Sequence, residues 1–152
     1  MTAALPWPPA LVGTPAIAVI ERAIERQRLS HSLIIAGDDL ETLGAIAHAI
    51  ADRLLNLGMP ASAQRPGADH PDFIVVRPSG KMRQIRVKED FEPFLGKIQL
   101  SPAVSHRKVA VVFEAERLNQ ATTAKFLKTL EEPPPNTTIL LVTTKPYILL
   151  PT

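Results

Sequence analysis

A glycine that follows a short apolar run and precedes a helical pattern is where a phosphate-binding loop belongs, and Gly37 stands in that place. Such a loop needs a glycine, four residues, then Gly-Lys-Ser/Thr. Backbone amides cradle the phosphates, the lysine reaches them and the hydroxyl holds Mg²⁺. Counted from Gly37, the last three positions are Thr42, Leu43 and Gly44. The lysine is a leucine, and the hydroxyl is missing. Asp38, Asp39 and Glu41 place carboxylates where phosphate oxygens would lie. A helix N-terminus attracts anions through its free amides and its dipole, and here the chain supplies those anions itself. The reading is an acid-capped helix that does not bind ATP.

The second half of a nucleotide-hydrolysing site fails in the same way. At the end of the third apolar run a hydrolase would place an aspartate for Mg²⁺ and then a glutamate that orients water. This chain has Phe113 and Glu114. Glu114 and Glu116 remain as polar groups at the C-terminal edge of a sheet. The four histidines (His31, His48, His70, His106) lack metal-ligand spacing, and His48 falls on the polar side of its helix, which reads as surface. Cysteine is absent, so disulfides, thiolate metal sites and thiol nucleophiles are excluded. No metal and no cofactor is expected.

The elements that would position these groups are legible from hydrophobic periodicity. Residues 1–13, with Trp7 among Pro6, Pro8 and Pro9, read as an irregular lead-in. Thr14 and Pro15 give an N-cap and a first helical position, and Ile17, Ile20 and Ile24 form the stripe of a helix over 15–28. Leu33–Ala36 is a buried strand. Leu43, Ile46, Ala47, Ile50, Leu54 and Leu57 mark a long helix closed by Gly58, and residues 58–71 form a loop. Phe73–Val76 is a second strand. Residues 87–99 form a helix that buries Phe91, Phe94, Leu95 and Ile98, with Pro93 in or near its first turn. Val109–Phe113 is a third strand. Asn119 caps a helix whose inner face carries Thr123, Leu127 and Leu130, Pro133–Pro135 stop it, and Thr138–Thr144 is a fourth strand. Continuous Val/Ile/Leu strands alternating with helices predict an open α/β fold with a parallel sheet.

Two charged segments stand out. Arg77, Lys81, Arg83, Arg86 and Lys88 surround the turn Pro78-Ser79-Gly80 and are candidate phosphate contacts on nucleic acid, or a solvated loop. No aromatic residue interleaves them, which removes the stacking part of a single-strand site. Glu131 and Glu132 occupy the last turn of a helix, where the dipole disfavours negative charge, with Lys128 close enough to neutralise them. Seventeen basic residues against fifteen acidic ones leave too small an excess to imply nucleic acid. At 152 residues the chain fits one ordinary domain, and no apolar run approaches the ~18 residues of a membrane span.

Lys108–Glu116, Leu118-Asn119, Ala121 and the string Leu127-Lys128-Thr129-Leu130-Glu131-Glu132-Pro133-Pro134 resemble the AAA+ domain of bacterial DNA polymerase III clamp-loader subunits. His31–Gly37, His70-Pro71-Asp72 and Leu149-Leu150-Pro151-Thr152 match the same family in order, and His-Pro-Asp favours its delta-prime branch. The resemblance implies a three-layer, P-loop NTPase-like core over residues 14–152. It implies a cytoplasmic, non-hydrolysing subunit that joins gamma/tau and delta subunits in a hetero-pentamer for DNA replication, touching DNA only indirectly. It places Thr143 or Thr144 at the family's sensor position. The cysteine-held zinc of many members has no counterpart. The family continues after Leu-Pro-Thr into Ser-Arg-Cys, then a fifth strand, a lid and a collar, so the chain is expected to be an N-terminal piece. Alone it is expected to be monomeric, with one edge of its first strand unpaired. Lys128, Glu131 and Glu132 are then candidates for a subunit contact. An ATPase of the gamma/tau type and a basic-loop nucleic-acid module stand as the alternatives.

Overall fold

The computed structural model describes residues 6–60 and 70–146. Among them, α1 (Pro15–Glu25), β1 (Ser32–Ala36), α2 (Leu40–Asn56), β2 (Phe73–Val76), α3 (Glu92–Gln99), β3 (Lys108–Phe113), α4 (Gln120–Glu131) and β4 (Thr137–Thr143) follow one another along the chain. The strands form one sheet in the order β1-β4-β3-β2, and every pairing is parallel. Parallel neighbours need crossover connections, and the helices supply them on both faces.

The pleat sorts the strand residues between two cores. Val109, Val111, Leu140 and Val142 point to the α1/α2 side, where they meet Ile17, Ile24, Leu43, Ala47, Ile50 and Leu54. Ala110, Val112, Ile139 and Leu141 point the other way, toward Phe91, Phe94, Ile98 and Phe126. All six residues of β3 are buried. The molecule therefore has the open α/β fold with a parallel sheet that the apolar runs predict, and the three layers that the family resemblance implies. β1 lies at an edge, with Ile34 47% exposed.

Several local expectations are corrected. Trp7 is buried, donates its indole N–H to Glu21 and stacks beneath Arg53, so the lead-in is anchored on the core through this ring. Thr14 stands at the start of α1, but its hydroxyl donates to the Leu11 carbonyl and accepts no amide from the first turn of the helix. α1 stops at Glu25 because Gln27 turns left-handed, with φ of 54°. Residues 87–91 form a wide π-helical turn, in which the Phe91 amide donates back to the Arg86 carbonyl, before α3 begins at Glu92 with Pro93 in its first turn. In α4 the inner face belongs to Thr122 and Phe126, with Leu130 packed beside them, while Leu127 is 37% exposed. Phe126 sits edge-on to Phe91 at 5.2 Å, and burying that ring fixes the helix rotation. Most of the 58–71 loop and the Leu149–Thr152 match lie outside the described residues.

Candidate functional site

The C-terminal ends of β1, β4 and β3 and the N-terminus of α2 come together at one edge of the sheet, the place where open α/β folds bind ligands. β1 ends at Ala36 and α2 begins at Leu40, so residues 37–39 make the whole turn. Thr42 and Leu43 consequently lie inside the first turn of α2 and not in a loop. Asp39 occupies the N-cap position, and its Oδ2 accepts the Thr42 hydroxyl at 2.6 Å. That hydroxyl, with help from nearby backbone amides, holds the exposed Asp39 carboxyl below its ordinary value. Asp38 and Glu41 project into solvent beside it.

Leu43 is buried with 4% exposure and belongs to the α1/α2-side core. A Cβ added to Gly37 would lie 3.1 Å from its Cδ2. The side chain at the phosphate-lysine position therefore folds back as hydrocarbon against the glycine turn.

Across the edge, Phe113 closes β3 and the Arg77 guanidinium lies 4.6 Å over its ring. Glu114 follows in the left-handed region, at φ 54°, which a non-glycine residue adopts at a cost. Two arginines hold it there. Arg83 Nη2 donates to Oε2 at 2.5 Å and Arg117 Nε donates to Oε1 at 3.0 Å. Arg117 also donates to the Arg83 carbonyl, clamping the basic turn onto the end of β3. Thr143 is fully buried, donates its hydroxyl to Glu116 Oε1 at 2.6 Å and accepts the Lys145 amide. Thr144 is partly buried next to it.

The cleft between these groups, about 350 Å³, is lined by Leu40, Gly44, His48, Arg77, Phe113 and Glu114 among others. His48 corrects the surface reading. It is half-buried, with its ring 5.3 Å from Phe73 and 6.0 Å from Phe113. Burial, and then the Arg77 charge, pushes its imidazole below the ordinary 6.5.

The basic turn is largely committed within the molecule. Arg83 pairs with Glu114, Arg86 Nε lies 3.2 Å from Asp90 Oδ2, and Ile85 at 2% exposure pins the segment to the core. Lys81 and Lys88 are exposed, with no ion-pair partner among the described residues. Lys128, Glu131 and Glu132 are also exposed, and Lys128 forms no ion pair with either glutamate. α4 runs antiparallel to the strands, and its Leu130 carbonyl accepts the Ser32 hydroxyl at the start of β1. The acidic helix end thus sits at the opposite edge of the sheet from Gly37, Phe113 and Thr143.

Two further charged residues turn out to organise the scaffold. Asp72, 1% exposed, accepts the backbone amides of Ala103, Val104 and Ser105 at 2.5, 2.8 and 2.6 Å. Lys108, 4% exposed, donates to the Lys97 and Leu100 carbonyls at the end of α3, at 2.7 and 2.5 Å. Among the described residues no three metal-ligating side chains converge, and no helix is long and apolar enough to cross a membrane.

Comparison with known proteins gives a consistent picture. A family model described as DNA polymerase III, delta subunit matches residues 13–152. A DNA polymerase III subunit delta' of Pseudomonas aeruginosa is 35% identical over 83 residues, which are 55% of this chain and 25% of that protein. A crystal structure of a DNA polymerase III gamma subunit-related protein from Thermotoga maritima superposes with a TM-score of 0.67 at 26% identity, over 87% of this chain and 41% of that one. The chain therefore spans a quarter of the first relative and about two-fifths of the second.

Proposed function

The chain belongs to the family described as DNA polymerase III, delta subunit, and on that premise we propose that it acts in a replicative clamp loader as a subunit that neither binds nor hydrolyses ATP. The observation that carries this reading is Leu43, an apolar side chain buried and packed against Gly37 at the position where a phosphate-binding loop would carry its lysine. Phe113 supports it by offering an aromatic ring, itself covered by Arg77, where a metal carboxylate would stand. Glu114 is neutralised by Arg83 and Arg117 and the Thr143 hydroxyl is spent on Glu116, so neither is oriented toward a nucleotide.

A sheet and helices kept without the chemistry serve as a rigid frame. Within a cytoplasmic hetero-pentamer with gamma/tau and delta subunits, this frame would present surfaces to ATPase neighbours and support loading of the sliding clamp. Exposed Leu127, Lys128, Glu131 and Glu132 form the contact we assign to the far edge of the sheet. An apolar side chain ringed by charges, on a helix end whose dipole gains nothing from those carboxylates, suits recognition better than folding. Reconstitution of the full-length protein with the clamp-loader subunits of its own organism tests the proposal. Co-elution as one assembly is expected, and a protein that elutes alone from all of them refutes it.

A further inference from the structure

At the N-terminal edge of the sheet, away from the phosphate-loop end, a second and smaller cavity lies between the end of α1 and the starts of β1, β3 and β4. Its volume is about 100 Å³, and Gln27, His31, Arg107, Asn136 and Thr138 contribute its polar lining over an apolar floor of Ile24, Leu29 and Leu54. That is well under the ~300–1,000 Å³ of sites for drug-sized ligands, so it admits a small group and excludes a nucleoside.

The charge of this cavity is unbalanced. None of its nine described lining residues is acidic. Arg107 is part-buried and forms no ion pair among the described residues, unlike Arg83, Arg86 and Arg117, each of which has a carboxylate. One guanidinium nitrogen, Nη2, donates to Gln27 Oε1 at 2.8 Å. Its Nε is buried and has no hydrogen-bond partner, the one such side-chain atom among the described residues. An arginine always keeps its charge, and its fork of N–H donors matches an oxyanion edge-on. A buried donor on that fork therefore calls for an acceptor.

The surroundings favour a negative acceptor over a cation. The carbonyls at the end of α1 are already taken, because the Arg26, Gln27 and Arg28 amides donate to Arg22, Ile24 and Ala23. Gln27, at φ 54°, and Asn136, at φ 58°, are both held in the left-handed region where the chain rounds the cavity. Two side-chain amides that can donate are thus placed at its rim, with the Thr138 hydroxyl and the His31 ring beside them.

We infer that this cavity is a binding site for one small oxyanion, a phosphate or carboxylate group, with the Arg107 fork as its principal contact. The inference does not rest on the clamp-loader reading, whose nucleotide argument concerns the other edge of the sheet. Inorganic phosphate and acetate are the probes, each titrated at pH 7 into the isotope-labelled chain against sodium chloride at matched ionic strength, with backbone and Arg Nε resonances followed by NMR. The expected result is a saturable shift at Gln27, Arg107, Asn136 and Thr138 with one or both oxyanions. The two arms separate a phosphate-bearing from a carboxylate-bearing source. Arg107→Lys keeps the charge but loses the fork, and about ten-fold weaker binding is expected of it. A response to chloride equal to that of both oxyanions would mean an adventitious ion only and overturn the inference. Shifts confined to other residues, or unchanged affinity in a folded Arg107→Lys chain, would do the same.

Discussion

The Cδ2 atom of Leu43 stands 3.1 Å from the point that a Cβ on Gly37 would occupy, so the turn between β1 and α2 is closed by hydrocarbon. A phosphate-binding loop would instead carry a lysine at this position and turn its amides and ammonium toward the phosphates. Leu43 is also a member of the core beneath α2, with 4% of its surface exposed. Leu43→Ala should cost about 2–4 kcal/mol of unfolding free energy and should create no ATP site. Urea denaturation measures the first effect. A loss below about 0.5 kcal/mol, the scale of an ordinary surface substitution, would show that the side chain is not packed as described.

Asp72 couples the strand β2 to the turn before β3. Burial alone would raise its carboxyl, but the amides of Ala103, Ser105 and Val104, joined by His70, outweigh that effect and hold it below the ordinary 3.8. A carboxyl depressed by folding contributes stability above that value and loses it as the pH falls through the lower folded one. His48 acts earlier in the same direction. Its depressed imidazole takes up a proton more readily in the unfolded chain, so stability declines as the pH falls below about 6.5. Asp72→Asn should cost about 2–4 kcal/mol at pH 7, since three amides lose a charged acceptor. It should also flatten the acid limb of the stability profile below 3.8. An unchanged acid limb would assign that loss to other carboxylates.

Lys108 closes the end of α3 from a neighbouring strand. Its ammonium is desolvated, which lowers its pKa while Asp72 opposes the shift, and it satisfies two carbonyls of the last turn. Lys108→Met preserves the stem and removes the donors. The expected loss is about 1–3 kcal/mol, with faster amide exchange concentrated over Phe94–Leu100. Uniform exchange changes over the whole sheet would contradict a local role.

The sequence makes these elements visible to unequal degrees. Four Val/Ile/Leu runs gave the strands, because a strand covered on both faces leaves no room for polar residues. The wrong face of α4 has a simple origin. Thr123, Leu127 and Leu130 repeat at helical spacing as well as Thr122, Phe126 and Leu130 do, and only the aromatic pocket of Phe91 and Phe94 chooses between them. The scaffold roles of Asp72 and Lys108 were not legible, since their partners are backbone groups about thirty and ten residues away. Gly37 and Phe113 were legible as strand-end positions because the apolar runs stop there, and Leu43 by its count from Gly37. His48 was not, because its neighbours come from β2 and β3.

The exposed end of α4 gives a prediction that separates recognition from folding. Glu131→Lys combined with Glu132→Lys should leave unfolding free energy within about 0.5 kcal/mol, as for other surface sites. The same pair should weaken assembly of the full-length protein with the clamp-loader subunits proposed as its partners by roughly ten-fold or more, the scale of losing a well-placed interface charge. Light scattering on the reconstituted mixture reads the assembly. Full assembly with a normally folded variant would remove Glu131 and Glu132 from the interface.

Calorimetric titration of the chain with Mg-ATP decides whether this fold retains the frame of a nucleotide-binding subunit without its nucleotide. No saturable heat is expected at concentrations corresponding to affinities tighter than about 1 mM, near −4 kcal/mol. A dissociation constant in the micromolar range, competed by ADP and unaffected by the Arg107→Lys exchange at the far edge, would contradict it.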